Sequence, residues 1–282
     1  MSLLYLCALS LLHAALYVAC IYAAVAMGPP VDASSRDHPL VIGRRIRGAV
    51  LATLLSLAVT ALILRHASSG SGWLQPMGLD PRTFLASSGV SLLLTAALYL
   101  GPLTMDHLDG AFGWHRLRIS LGQSLRDPVC WRNYFVGPIT EELVFRSAVV
   151  PLWITMAAVD PLVCVLVSPL AFAVAHIHHA VASLWGGEEM RRVLVRMALQ
   201  LAYTTVFGCY AVGLFLRTRS VAGPIVAHAF CNIQGLPSLG RIGDYPRYKY
   251  LLWLVHVVGL LAMVLLFEPM TRPGVFISND NK

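Results

Sequence analysis

Apolar runs close to the length that crosses a bilayer recur along this chain, and no other feature limits its fold as strictly. A helix needs about 20 apolar residues to cover the hydrocarbon core. Runs of that order read 3–27, 48–64, 84–105, 133–156, 161–177, 193–216, 220–234 and 250–267. Hydrocarbon offers the backbone no hydrogen-bond partner, so such runs must be helices. Composition points the same way: the 282 residues are 57% hydrophobic and 12% charged, where a soluble domain is roughly 45–50% apolar and about 25% charged. The expected fold class is all-α, a polytopic membrane helix bundle of about eight transmembrane helices. Short connections leave no room for a separate soluble domain, so residues 1–282 read as a single integral membrane domain.

The first run has no Lys or Arg before it and exceeds the roughly 7–15-residue apolar core of a cleaved signal, so it is expected to remain in the mature protein. The seventh is short and carries Gly223 and Pro224 near its start, which suits a helix that enters part way or begins inside the protein. Between the runs lie "GPPVDASSRDHPLVIGRRIRG", the flexible "ASSGSGWLQPMGLDPR", the amphipathic-looking "HRLRISLGQSLRDPVCWR", "HHAVASLWGGEEMRR" and "LPSLGRIGDYPRYKY", all read as loops. Cys7, Cys20, Cys164, Cys209 and Cys231 lie inside apolar runs, Cys130 lies near a loop, and no C-x-x-C occurs, so all six read as structural thiols.

The net charge of +7 is unevenly placed. Odd-numbered loops carry Arg36, Arg44, Arg45, Arg47, Arg116, Arg118, Arg126, Arg132, Arg191, Arg192, Arg241, Arg247 and Lys249; the opposite side carries Arg65, Arg82, Arg217, Arg219, Arg272 and Lys282. The positive-inside rule puts the richer loops in the cytosol, against anionic membrane lipids, and both termini outside it. Scattered over short loops, these cations give a nucleic-acid role no support.

Against this background "GPITEELVFRS" spends three charges inside the fourth run. Glu141 and Glu142 lie about nine residues into it from the cytosolic side, His176 ends the fifth run, and His228 with Asn232 falls late in the seventh, so all converge on one depth near the cytosolic face. Glu142 and Arg146, four apart, share a helix face and can pair, reducing the cost of ~2.5–3.5 kcal/mol that a lone charge adds at mid-membrane. Glu141 is rotated by about 100° and stays free. A carboxylate without a cation in a poorly solvated site becomes basic enough to take a proton from water, and a nearby imidazole can hold or pass that proton. His228 and Asn232 also share a face and both offer N–H donors to a developing oxyanion.

The segments "RNYFVGPITEELVFRS", "FAVAHIHH" and "GPIVAHAFCNIQGLP" resemble the three motifs of the type II CAAX prenyl endopeptidases, the Ras-converting enzymes, within the wider family of CAAX proteases and bacteriocin-processing enzymes. Glu141, Glu142 and Arg146 meet the first motif, Phe172 and His176 the second, His228 and Asn232 the third, and the match spans about residues 131–237. The resemblance implies an eight-span endopeptidase of the endoplasmic reticulum membrane that removes the last three residues of a C-terminal CAAX sequence after its cysteine is farnesylated or geranylgeranylated. It implies Glu141 and His176 as the catalytic pair that activates water, His228 and Asn232 as the oxyanion site, and Glu142, Arg146 and Phe172 as support. The implied partners are prenylated CAAX proteins such as Ras-like small GTPases. It implies no cofactor and no metal.

Two other functions draw on the same residues. A zinc protease would gather Glu141, His176 and His228 around an open ligand position, although the H-E-x-x-H helix is missing. A proton-coupled transporter or scaffold would use the buried Glu, His and Arg as a relay, but no matching polar group lies deep on the opposite side. Glu142 with Arg146 reads as a structural pair. His178 and His179 read as interfacial, and His13, His256 and the Arg196–Gln200 pair as makers of interhelical hydrogen bonds.

Overall fold

The computed structural model describes residues 2–29, 36–67, 72–111, 122, 124, 126–157, 159–272, 274 and 276, and among these every regular element is helical. Helix α1 is Leu3–Ala26, α2 Pro39–Ala67, α3 Pro81–Leu98 and α4 Leu100–Leu108. Residues 128–157 form one continuous helix, α5; α6 is Pro161–Trp185 in three pieces; α7 is Met190–Thr218, α8 Ala222–Gln234 and α9 Lys249–Met270. Half of the amphipathic-looking stretch 115–132, with Arg116 and Arg118, lies outside the described residues.

Five helices, α1, α2, α6, α7 and α9, are long and apolar enough to cross a membrane, and α3 with α4 makes a sixth crossing if the bent pair counts as one. The third run was expected to be a single helix over 84–105; instead the chain turns by 70° between α3 and α4. Gly101-Pro102 explains the turn, because proline removes an N–H and its ring collides with the carbonyl four residues back. The stretch after His176, expected as loop, continues as helix Ile177–Trp185. Likewise α2 begins at Pro39 and takes Arg44, Arg45 and Arg47 into the helix. Hydrophobicity marks where lipid is, whereas a helix runs on until its backbone is stopped.

Three helices start on the same dipeptide. Asp80-Pro81, Asp127-Pro128 and Asp160-Pro161 each put a carboxylate over a free backbone N–H (Arg82, Val129 and Leu162) and a proline at the first helical position, where no N–H is needed. The second of these sets the start of α5, the helix that carries both glutamates.

Small polar side chains fasten α5 to α1 and α2. Tyr17 O–H donates to Thr140 Oγ1 at 2.8 Å, Trp153 Nε1 donates to Ser10 Oγ at 2.9 Å, and Thr60 Oγ1 donates to the Ala148 carbonyl at 3.0 Å. A hydroxyl in an apolar helix must find such a partner, and here the partner fixes which face of α5 turns inward. Around these bonds Tyr17, Ala49, Phe145, Phe172 and Ala175 pack into one apolar cluster that joins α1, α2, α5 and α6. Gly223 lets α8 lie close on α3: a Cβ there would meet Ser91 Oγ at 2.5 Å. All six cysteines are free thiols.

Candidate active site

Both glutamates sit on a single α-helical turn, Gly137–Glu142, held between two wider π-helical stretches, Arg132–Val136 and Leu143–Val149. Such insertions change the phase of a helix locally and recur at functional sites. Here they split the pair by environment. The Glu142 side chain is 0% exposed, whereas that of Glu141 is 23% exposed and reaches a cavity.

Glu142 is the centre of a buried ionic chain. Its Oε2 lies 3.0 Å from Arg146 Nε and its Oε1 accepts from His228 Nδ1 at 2.7 Å. The contact with Arg146 is close but not aligned as a hydrogen bond, and among the described residues the guanidinium has no aligned acceptor elsewhere. Aromatic faces take up the remainder: the Arg146 guanidinium carbon stands 4.8 Å from the Phe172 ring centroid and 5.8 Å from that of Phe207. The expected pairing of Glu142 with Arg146 is present, and the structure adds His228 to it.

His176 falls at the break in α6 between Pro169–Ala175 and Ile177–Trp185. Its Nδ1 lies 2.8 Å from the Phe172 carbonyl. A carbonyl only accepts, so Nδ1 is the donor, and in the neutral ring Nε2 carries the lone pair. Phe172 stands edge-on to His176, with centroids 4.7 Å apart, and is 98% enclosed, so the ring orientation is set by packing as well.

A cavity of about 140 Å³ brings Glu141, His176, Phe172 and Asn232 to one surface, with Tyr17 and Thr140 beside them. His228 stands behind this wall, its Nε2 3.8 Å from Glu141 Oε2. Asn232 is exposed, and its Nδ2 donates to the Asn133 carbonyl at 2.9 Å, which leaves the second amide hydrogen free. Glu142 and Arg146 are shut off from the cavity, as supporting groups would be. Among the described residues no group of three His, Cys, Asp or Glu is placed to hold a metal ion.

Sequence reasoning passed over several cavity residues. Tyr17 and Thr140 were not singled out; a tyrosine in mid-span, whose hydroxyl must be satisfied, was the available signal. Arg36, Arg45 and Arg132 were counted only as loop charges, yet all three line the cavity. Of the other polar residues, His178 and His179 also line it, whereas Arg196 bonds to Glu188 at 2.7 Å and to Ser183 at 3.0 Å, away from Gln200.

A polytopic helix bundle whose cavity presents a solvent-reached carboxylate beside an imidazole lone pair is equipped as a membrane-embedded hydrolase. Comparison with known proteins says which kind. The sequence model described as type II CAAX prenyl endopeptidase, Rce1-like, matches residues 127–234. CAAX prenyl protease 2 of Homo sapiens is 34% identical over 254 residues, covering 86% of this chain and 75% of that protein. The protein of the same name from Caenorhabditis elegans is 34% identical over 252 residues, covering 86% and 90%, and that from Arabidopsis thaliana is 31% identical over 257 residues, covering 84% and 81%. No solved structure matches the chain. This chain belongs to the type II CAAX prenyl endopeptidase family, and is a multi-pass membrane endopeptidase.

Proposed function

We propose that this chain removes the C-terminal tripeptide from farnesylated or geranylgeranylated CAAX proteins, using a water activated by Glu141 and His176. The observation that carries the mechanism is the meeting of the Glu141 carboxylate and the His176 imidazole on one cavity wall in an otherwise apolar bundle. The carboxylate takes a proton from water while His176 Nε2 orients it. The resulting hydroxide adds to the scissile carbonyl carbon. Negative charge then grows on the carbonyl oxygen, where the free Asn232 N–H and His228 stabilise it. The proton held by Glu141 passes to the amide nitrogen, the C–N bond breaks, and the products are a prenylcysteine carboxylate and a tripeptide with a free amine.

The role of His228 follows from its bond to Glu142. With Nδ1–H given to that carboxylate, the ring can donate through Nε2 only as an imidazolium. Glu142, wholly buried and shared with Arg146, supplies the negative charge that such a cation needs. Glu142 therefore supports the oxyanion site as well as the fold.

The natural setting proposed is the endoplasmic reticulum membrane, with the site facing the cytosol, one membrane domain over the whole chain, and substrates such as Ras-like small GTPases. Orientation is supported by Arg36, Arg45 and Arg132 at the cavity, since these belong to the cation-rich loops. The test is tripeptide release from a prenylated CAAX peptide and from its unprenylated twin, with and without a chelator. Release from the prenylated peptide alone, unchanged by chelation, is expected. No release from either peptide would sink the function, and inhibition by chelation that zinc reverses would replace the glutamate mechanism with a metal-dependent one.

A further inference from the structure

Among the described residues the cavity holds more positive charge than its own carboxylate neutralises. Arg36, Arg45 and Arg132 line it, and Glu141 is the only carboxylate among the described residues that do. Arg132 is committed elsewhere: Nη1 lies 2.8 Å from Asp37 Oδ1 and donates to the Arg36 carbonyl at 3.2 Å, and Nε donates to Asn133 Oδ1 at 2.9 Å. It acts as a strut that fixes the 36–37 segment against the start of α5. Arg45 lies over the Tyr22 ring, 5.5 Å from its centroid, and Arg36 Nη1 faces His179 Nδ1 at 3.5 Å. Neither contact supplies a negative charge, and the carboxylate that does act on Arg36, that of Asp37, is shared with Arg132. Partial desolvation, then the nearness of Arg45 and Arg132, holds the Arg36 guanidinium below the ordinary arginine range against the opposing pull of Asp37. Like charges gathered on one concave, partly desolvated surface repel, and an anion placed among them relieves that repulsion.

We propose that Arg36 and Arg45 bind the free α-carboxylate of the peptide being cut and so fix cleavage three residues from the chain end. This rests on the tripeptide-releasing function proposed above. A substrate cut in that way presents one obligatory anion, its terminal carboxylate. An extended chain advances ~3.3–3.6 Å per residue, so that anion lies within about 10 Å of the scissile bond. An enzyme that measures three residues from an end needs an anchor there, and the planar fork of a guanidinium matches a carboxylate in shape as well as charge. The apolar side chains of the released peptide meet Tyr17, Ala49, Phe145 and Phe172 on the same wall. The strut at Arg132 holds the backbone of Arg36, which makes the distance to Glu141 a property of the fold.

The test compares a prenylated peptide ending in a free acid with the same peptide ending in a carboxamide, on the full chain in phosphatidylcholine vesicles. Amidation is expected to lower kcat/KM by about 10- to 100-fold, mostly through KM, as loss of a charge-assisted contact does. In Arg36→Gln and Arg45→Gln the acid should fall to the level of the amide. Arg36→Lys and Arg45→Lys, with parental thermal unfolding midpoints, should recover part of the preference and so separate binding from misfolding. A parent that cuts acid and amide alike overturns the carboxylate anchor and leaves the endopeptidase function standing. A parent that cuts neither removes both. If the Gln variants keep the parental preference, and lose activity only when phosphatidylserine is added to the vesicles, these cations serve lipid headgroups and the proposal is wrong.

Discussion

Three histidines in this bundle begin from the same local bond and end in different places. His13, His176 and His256 each turn Nδ1 to the carbonyl four residues back, at 2.9, 2.8 and 2.7 Å. An imidazole in an apolar helix settles half of its hydrogen bonding this way, whatever its purpose. What differs is the other nitrogen. His13 Nε2 faces Thr60 Oγ1 at 3.5 Å in the α1–α2 seam, and His256 Nε2 is buried with no hydrogen-bond partner among the described residues, its ring pressed on Gly101. His176 alone of the three stands on the cavity wall with Glu141. The flank that holds His256 is built for lipid, since 11% of the apolar window of α9 is buried against 33% for α6. A site is thus made by what converges on the second nitrogen, and the local bond says nothing about it.

Removing the groups that converge on His176 should have the greatest consequence. Glu141→Ala and His176→Ala should each lower the rate of tripeptide release by at least 10²–10⁴-fold, the usual weight of a general base, with the protein still folded in the membrane. Measured turnover within tenfold of the parent in either variant would sink the water-activating pair.

Asn232→Ala and Glu142→Ala come next and should separate chemistry from architecture. Asn232 is exposed at the cavity, so its loss should lower kcat by about 10²–10³-fold, with little change in KM or in thermal midpoint. Glu142→Ala leaves the buried Arg146 cation and His228 without their shared anion, and should cost about 3–5 kcal/mol of stability besides activity. Identical thermal midpoints for the two variants would refute this division of roles.

Much of this was legible in the sequence, because lipid imposes a simple rule. Every apolar run corresponds to a helical segment, and the three short motifs at i, i+4 spacing named residues that the fold brings together. The rest depended on groups far apart in the chain. Nothing local links Glu142 to His228, 86 positions away, and the π-helical turns that separate the two glutamates leave no mark in composition. Arg36, Arg45 and Arg132 were seen as a charge bias, which tells the side of a membrane but not the surface a guanidinium lines. The bend after α3 could have been read from Gly101-Pro102; hydropathy alone hid it.

Removing His256, whose second nitrogen meets nothing catalytic, should change little. His256→Leu deletes the ring bond to Leu252 and the buried, unpartnered Nε2, and puts a side chain of similar bulk against Gly101. An unsatisfied buried polar atom carries a desolvation cost, so replacing it with an apolar group of similar shape is close to neutral or slightly stabilising. Activity should stay within twofold of the parent and the thermal midpoint should not fall. A tenfold loss of turnover would mean that the lipid-facing flank is coupled to the cavity, and that an imidazole with the same local bond as His176 shares in its work.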